Sequence, residues 1–88
     1  MKIRTSKGNE YNINWIWGPL RGTNQVMIDM EDSRSASEIA KELEGCETIE
    51  KTDENRGGVK EVYEGYTEVV SVIRERASGT VRVTLEKP

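Results

Sequence analysis

The chain has 88 residues, of which 34% are hydrophobic, and its formal net charge is −3. That length suits one domain, residues 1–88, and leaves no room for a second. The chain contains no histidine, which excludes Ser-His-Asp and Cys-His catalytic systems and metal sites built on imidazole.

The first predicted element is a β-hairpin over residues 2–17, turned at Gly8-Asn9. In its second strand the large side chains fall on alternate positions: Tyr11, Ile13, Trp15 and Trp17. This period of two is typical of a strand with one buried face. We therefore expect Trp15 in the core and Trp17, beside a Gly-Pro pair, partly exposed. Ile16 is expected to point away from the core.

Residues 25–30 alternate in the same way, which predicts a third strand. Val26, Ile28 and Met30 would face the core. Met27 and Asp29 would face outward, and an outward methionine, like Ile16, indicates a second layer or a protein interface.

One helix is predicted after the third strand. Ser35 followed three residues later by Glu38 is a capping box, and Ile39 and Leu43 form an i, i+4 apolar pair. Gly45 is placed to end the helix. A helix of about nine residues is too short to be stable alone, so this one is expected to pack on a sheet.

The second half of the chain is predicted to contain more strands. Residues 46–51 favour a short edge strand, residues 52–58 a mobile polar loop, and residues 59–64 a strand ended by Gly65. The last hairpin joins residues 66–76 to 80–86. A tight turn at Ser78-Gly79 would place Glu75 opposite Arg82. The positions expected on its inward face are Val70, Val72, Val81, Val83 and Leu85.

These elements predict an α+β fold. Short connections favour a mainly antiparallel meander of five or six strands, shaped as a curled sheet or a small open barrel, with one short helix packed on it. Curling is an economical way for a chain this short to bury the tryptophan face.

The sequence predicts no enzyme. Cys46 has no histidine to activate it and no second cysteine to share a metal. Asp29, Glu31 and Asp32 could together hold a hard cation, but they match no metal-binding loop, so a solvated strand end is favoured. We expect no catalytic residue, metal site, cofactor or small-molecule substrate.

Charge is divided unevenly along the chain. Residues 29–54 contain ten acidic and three basic side chains, a net −7, so the remaining residues carry +4. Such a division either steers association between proteins or reflects the ordinary solvated surface of a helix and its loops. No Lys/Arg stripe with interleaved aromatic residues indicates nucleic acid, and no stretch of about 18 apolar residues indicates a membrane. The expected partner is a protein, a second copy of the chain included, and the expected location is the host-cell cytoplasm.

The candidate interaction surface combines outward apolar side chains with acidic side chains of the middle segment. The tyrosines that flank Gly65 are included as candidate contact residues. The predicted residues are Ile16, Trp17, Met27, Asp29, Glu31, Asp32, Glu42, Glu44, Tyr63 and Tyr66.

Three segments of the chain resemble a known group of proteins. MKIRTSKGNEYNINWIWGP, YEGYTEV and VIRERASGTVRVTLEKP are similar to short proteins encoded in phages and prophages of Gram-positive gut bacteria. The resemblance covers both ends of the chain and leaves the acidic middle unmatched. It implies a protein made during phage development or carried on an integrated element, and it transfers no catalytic residue.

Two functions follow as predictions. The first is a small virion or assembly component, such as a tail, head-completion or decoration protein, whose copies dock through exposed strand edges. The alternative is an inhibitor of a host defence protein, similar to an anti-CRISPR protein, with its acidic segment over a basic nucleic-acid channel. Both are non-enzymatic, and the first would place the chain in the virion.

Overall fold

The computed structural model describes residues 1–88, with Val59 described by its backbone alone. The fold is α+β, as predicted. Its elements are β1 (Lys2–Thr5), β2 (Glu10–Trp17), β3 (Gln25–Glu31), α1 (Ala36–Leu43), β4 (Thr48–Asp53), β5 (Val59–Glu64), β6 (Glu68–Arg74) and β7 (Thr80–Glu86). Residues 54–56 form one turn of 3-10 helix where a mobile loop was expected.

The seven strands form one open antiparallel sheet in the order β5-β4-β1-β2-β3-β7-β6. The predicted antiparallel sheet with one short helix is confirmed, but it has seven strands instead of five or six. It is also not a simple meander, because β4 lies beside β1 and β7 lies between β3 and β6. The sheet does not close into a barrel, since β5 and β6 end it on opposite sides. Residues 46–51 were expected at an edge, yet β4 lies inside the sheet, paired with both β1 and β5.

The core lies between the inner face of the sheet and α1. Ile39 and Leu43 are the buried residues of α1, and they pack with inward side chains of the strands. Side chains with no exposed surface include Ile3, Val26, Ile28, Met30, Val81, Val83 and Leu85. The predicted inward faces of β3 and β7 are thus confirmed, and so is the docking of the helix.

Local signals set both ends of α1. The Ser35 hydroxyl accepts a hydrogen bond of 3.2 Å from the backbone N–H of Glu38, which is the predicted N-cap. Gly45 has φ +78°, a left-handed conformation that glycine adopts without strain, and its N–H donates to the Thr67 carbonyl at 2.8 Å. Short-range chemistry therefore places this helix.

A β-bulge in β2 reverses the predicted faces of the tryptophan strand. Ile13 lies opposite Met30 and Trp15 lies opposite Asp29, which leaves Asn14 as the extra residue. From there on the even positions face the core. Ile16 is only 4% exposed, whereas Trp15 is 41% and Trp17 37% exposed. The predictions of a core Trp15 and an outward Ile16 are both wrong, and the partial exposure of Trp17 is confirmed.

A second bulge changes the last hairpin. Val69 lies opposite Leu85 and Ser71 opposite Thr84, so Val70 is the extra residue and is 50% exposed instead of buried. The Glu75 N–H donates to the Thr80 carbonyl at 2.9 Å, which closes a loop of residues 76–79 instead of a two-residue turn. The register therefore differs from the prediction by two residues.

In this register Arg82 lies opposite Ile73 instead of Glu75. The predicted Glu75–Arg82 cross-strand pair is therefore wrong. The reason is that the loop is longer on its first side only: residues 76 and 77 join it, and this moves every facing pair by two residues.

Candidate functional site

The outer face of the sheet, opposite α1, differs between its two halves. On β1, β4 and β5 the outward side chains are mostly charged or polar, as on Lys2, Arg4, Glu50, Thr52 and Lys60, and Val62 is an apolar exception. Such polar outward positions are usual for an antiparallel sheet with one solvated face. The other half, from the end of β2 to β6, carries aromatic and aliphatic side chains among its exposed residues, including Trp15, Trp17 and Ile73.

Cross-strand pairing arranges this second half in two rows. The first row runs Trp15, Asp29, Arg82, Ile73 across four strands, and the second runs Trp17, Met27, Thr84, Ser71. Ile73 is 59% exposed. We call the eight residues of these rows the aromatic face. Neighbouring rows lie about 7 Å apart along the strands, so the two indoles form one continuous surface.

Each indole of the aromatic face has a cation against it. The Arg82 guanidinium carbon lies 5.6 Å from the centre of the Trp17 ring, and the Lys51 amino nitrogen lies 5.2 Å from the centre of the Trp15 ring. Attraction between a cation and a ring quadrupole favours this stacked geometry. The rings are therefore held in one orientation while more than a third of each stays accessible to a partner.

Polar groups lie beside the exposed rings. The Asn14 side-chain amide donates to the Asp29 carboxylate at 3.2 Å. A shallow depression of about 150 Å³ adjoins the first row and is lined by Asp29, Ile73, Glu75, Thr80 and Arg82. An apolar floor with a carboxylate and a guanidinium at its margin resembles the composition of a protein interface, in which aromatic residues and arginine are enriched.

The structure brings three predicted site residues together on the aromatic face: Trp17, Met27 and Asp29. Glu31 is exposed at the end of β3, two residues beyond Asp29. Ile16 lies on the other side of the sheet, in the core.

Trp15, Ile73 and Arg82 belong to the aromatic face but were not predicted as site residues. Ile73 had a signal in the sequence, because an isoleucine beside inward Val72 must point outward. Trp15 had none, because its exposure depends on the bulge at Asn14.

Two predicted site residues, Asp32 and Glu42, instead hold the helix to the sheet. A nitrogen of the Arg34 guanidinium lies 2.8 Å from a Glu42 carboxylate oxygen, and another lies 3.6 Å from Asp32. The guanidinium stacks 4.9 Å from the centre of the Tyr11 ring, and the Tyr11 hydroxyl donates to Glu42. These acids therefore stabilise the loop before α1.

The pKa values of this cluster agree with that structural role. Burial lowers the pKa of Arg34, but the Asp32 and Glu42 carboxylates outweigh burial and raise it. Burial, and then the Glu42 carboxylate, raise the pKa of the Tyr11 hydroxyl. Both groups thus keep their protons through the neutral range.

The remaining predicted residues lie away from the aromatic face. The Glu44 carboxylate accepts a hydrogen bond of 2.9 Å from the Val69 N–H, which joins the end of α1 to β6. Tyr63 and Tyr66 form an edge-to-face pair with ring centres 6.4 Å apart. Tyr66 is only 7% exposed, so its prediction as a contact residue is wrong, and Tyr63 is half-buried.

The Tyr63 hydroxyl gives a prediction on pH. Burial, and then the Glu61 carboxylate to which it donates at 3.0 Å, raise its pKa from 10.0 to about 12. Because the folded chain holds this proton more tightly than the unfolded chain, its contribution to stability is complete below pH 10 and is lost as pH rises toward 12. In a pH titration followed by absorbance at 295 nm, the tyrosine ionisation near pH 12 should disappear in Tyr63→Phe. A Tyr63 that ionised near pH 10 in the folded protein would contradict the burial of this hydroxyl.

Within the part of the chain that the structure describes, no three carboxylate or thiol side chains come close enough to hold a metal ion. Cys46 is a buried free thiol whose sulfur lies 3.2 Å from the Glu42 carbonyl oxygen. The helices among the described residues are too short or too polar to cross a membrane.

Comparison of the chain with protein-family models, with curated proteins and with solved structures found no match. The geometry of the aromatic face is therefore the main basis for a functional proposal.

Proposed function

We propose that this chain is a non-enzymatic protein of a phage or prophage that binds another protein through its aromatic face, as a small virion or assembly component. The observation that supports this most is the exposure of Trp15 (41%) and Trp17 (37%) in neighbouring rows of the outer surface. Tryptophan anchors of this kind contribute a large share of binding energy at protein interfaces.

The phage context rests on the resemblance stated above. Its first segment includes all of β2 up to Trp17, and its last segment includes Ile73 and Arg82. The segments that carry the resemblance thus build most of the aromatic face, since only Met27, Asp29 and Ser71 of its residues lie outside them.

The experiment compares particle incorporation of the wild type with that of Trp15→Ser/Trp17→Ser. A tagged chain is produced during phage induction, and purified particles are analysed by quantitative mass spectrometry. We expect at least a tenfold loss of incorporation for the variant, because both anchors of the face are removed. Circular dichroism and thermal melting show whether the variant is folded. Arg4→Ser, in the polar half of the same outer face, is the matched control and should be incorporated normally.

Two outcomes would contradict the proposal. The first is normal incorporation of the folded double variant. The second is absence of the chain from particles together with capture of a host nucleic-acid-binding protein, in a complex that Glu38→Lys/Glu47→Lys disrupts and the tryptophan variant does not. Glu38 and Glu47 are exposed acids of the middle segment, so this second outcome would favour the inhibitor of host defence.

A further inference from the structure

The two edges of the sheet are not equally free to pair with another strand. At β6 the Val69 N–H already donates to the Glu44 carboxylate at 2.9 Å, and the bulge at Val70 interrupts the strand. The Arg74 side chain donates to the Arg34 carbonyl beside it. Bulges and covering groups are the usual protection of an edge strand. The β6 edge is therefore obstructed.

The β5 edge is open. The Gly65 N–H donates to the Glu47 carbonyl at 2.8 Å, and facing residues in an antiparallel ladder alternate between bonded and non-bonded pairs. The backbone groups of Lys60, Val62 and Glu64 therefore point away from β4. Among the described residues no strand pairs with that side of β5. Val62, in its centre, is 52% exposed.

The order of side chains along this edge is self-complementary. We propose that two copies of the chain pair antiparallel through β5, with Val62 opposite Val62 of the second copy. Lys60 then lies opposite Glu64 of the second copy, and Glu64 opposite its Lys60. Opposite charges that face each other across strands are stabilising, and like charges are destabilising.

This register also matches the backbone. The three residues whose N–H and C=O groups point outward face the same three residues of the second copy, which gives about six main-chain hydrogen bonds. A slip that centred the two-fold axis on Lys60 or on Glu64 would instead place like charges opposite each other. A slip of a single residue would oppose outward to inward backbone groups. A two-fold axis on Glu61 or Tyr63 keeps outward backbone groups facing each other but loses both Lys60–Glu64 pairs, so the register centred on Val62 is favoured.

The pairing deepens the proposed function, because it identifies a second copy as one of the partners, but it uses a surface separate from the aromatic face. The two-fold axis of an antiparallel strand pair is perpendicular to the sheet. Both aromatic faces would therefore lie on the same side of one sheet twice as wide. A bivalent surface of this kind binds a repetitive partner more tightly than either face alone.

Charge reversal tests the register. Sedimentation velocity of the full chain over a range of concentrations gives the dimer dissociation constant. Lys60→Glu and Glu64→Lys should each raise that constant at least tenfold, about 1.4 kcal/mol, since each replaces two attractive pairs with two repulsive ones. The double variant Lys60→Glu/Glu64→Lys restores opposite charges and should return to within about threefold of wild type.

Proline tests the backbone pairing. The Val62 N–H is not used in the β4–β5 ladder, so Val62→Pro should leave the fold intact and abolish the dimer. Thermal melting of the monomeric variant confirms that it is folded. Thr52→Ser, on the interior strand β4, is a control that should dimerise normally.

The proposal is overturned by a chain that stays monomeric up to about 1 mM, a concentration at which even weak pairs form. It is equally overturned by a dimer that Lys60→Glu and Val62→Pro leave unchanged. The two proposals fail separately. A dimeric Trp15→Ser/Trp17→Ser variant that is missing from particles supports both, whereas a monomeric wild type that is still incorporated refutes only the β5 pairing.

Discussion

Replacing Ile16 with alanine is expected to lower the free energy of unfolding by about 2–5 kcal/mol. Ile16 is 4% exposed and lies opposite Ile28 of β3 inside the core. Truncation there removes apolar contacts and leaves a cavity that the close-packed neighbours cannot fill. Urea unfolding followed by circular dichroism, with an unchanged slope against denaturant, measures the loss.

The neighbouring tryptophan is the matched comparison. Trp17→Ala removes a larger side chain, but that side chain is 37% exposed and packs chiefly against Arg82 on the outer face. We expect it to cost less than half of what Ile16→Ala costs. If Ile16→Ala leaves too little stability to measure, Ile16→Val should still cost about 0.5–1.5 kcal/mol. A larger loss for Trp17→Ala would show that the bulge at Asn14 is wrongly placed.

The second large effect is expected for Gly18→Ala, with a loss of about 2–6 kcal/mol. Gly18 has φ +145°, a region that side chains with a Cβ rarely adopt. A Cβ at this position would lie 2.5 Å from Cγ1 of Val26 and 3.0 Å from its Cα. Val26 has no exposed surface, so it cannot move aside without disturbing the core. Backbone strain and overpacking therefore add.

Gly8→Ala is the control for backbone strain alone. Gly8 also has a positive φ, +87°, but nothing lies within 4 Å of the Cβ position. Its alanine variant should lose only about 1–2 kcal/mol, the cost of a left-handed residue. Melting curves of the two variants side by side measure the difference. Equal losses would mean that the close approach of Val26 to Gly18 does not exist in the protein.

The elements that could be predicted are those set by neighbouring residues. The capping box at Ser35 and the glycine at Gly45 place α1 because both act within one turn of helix. Strand β3 was predicted because Val26, Ile28 and Met30 alternate over its whole length. Strand β4 was expected only as a short edge strand over residues 46–51, since Ile49 is its only buried residue and one buried position makes no pattern.

The aromatic face could be predicted only in part. Outward Met27 and Asp29 follow from alternation in β3, and the exposure of Trp17 follows from the adjacent Gly-Pro. The exposure of Trp15 and the burial of Ile16 did not follow, because an unbroken alternation was assumed where Asn14 interrupts it. A bulge forms where one strand has an extra residue relative to its partner and both strands must still satisfy their backbone hydrogen bonds. Its position therefore depends on how β3 pairs with β2, and the sequence of β2 alone does not show it.

The sequence by itself determined the α+β class, the position of the single α-helix, the inward residues of β3 and β7, and the absence of histidine chemistry. These depend on local hydrogen bonding, on side-chain alternation and on composition. Only the tertiary structure decided which strands lie side by side, where the bulges fall, and which face each tryptophan occupies. Those features depend on pairing between residues far apart in the chain, where one extra residue in a strand moves every following side chain to the opposite face.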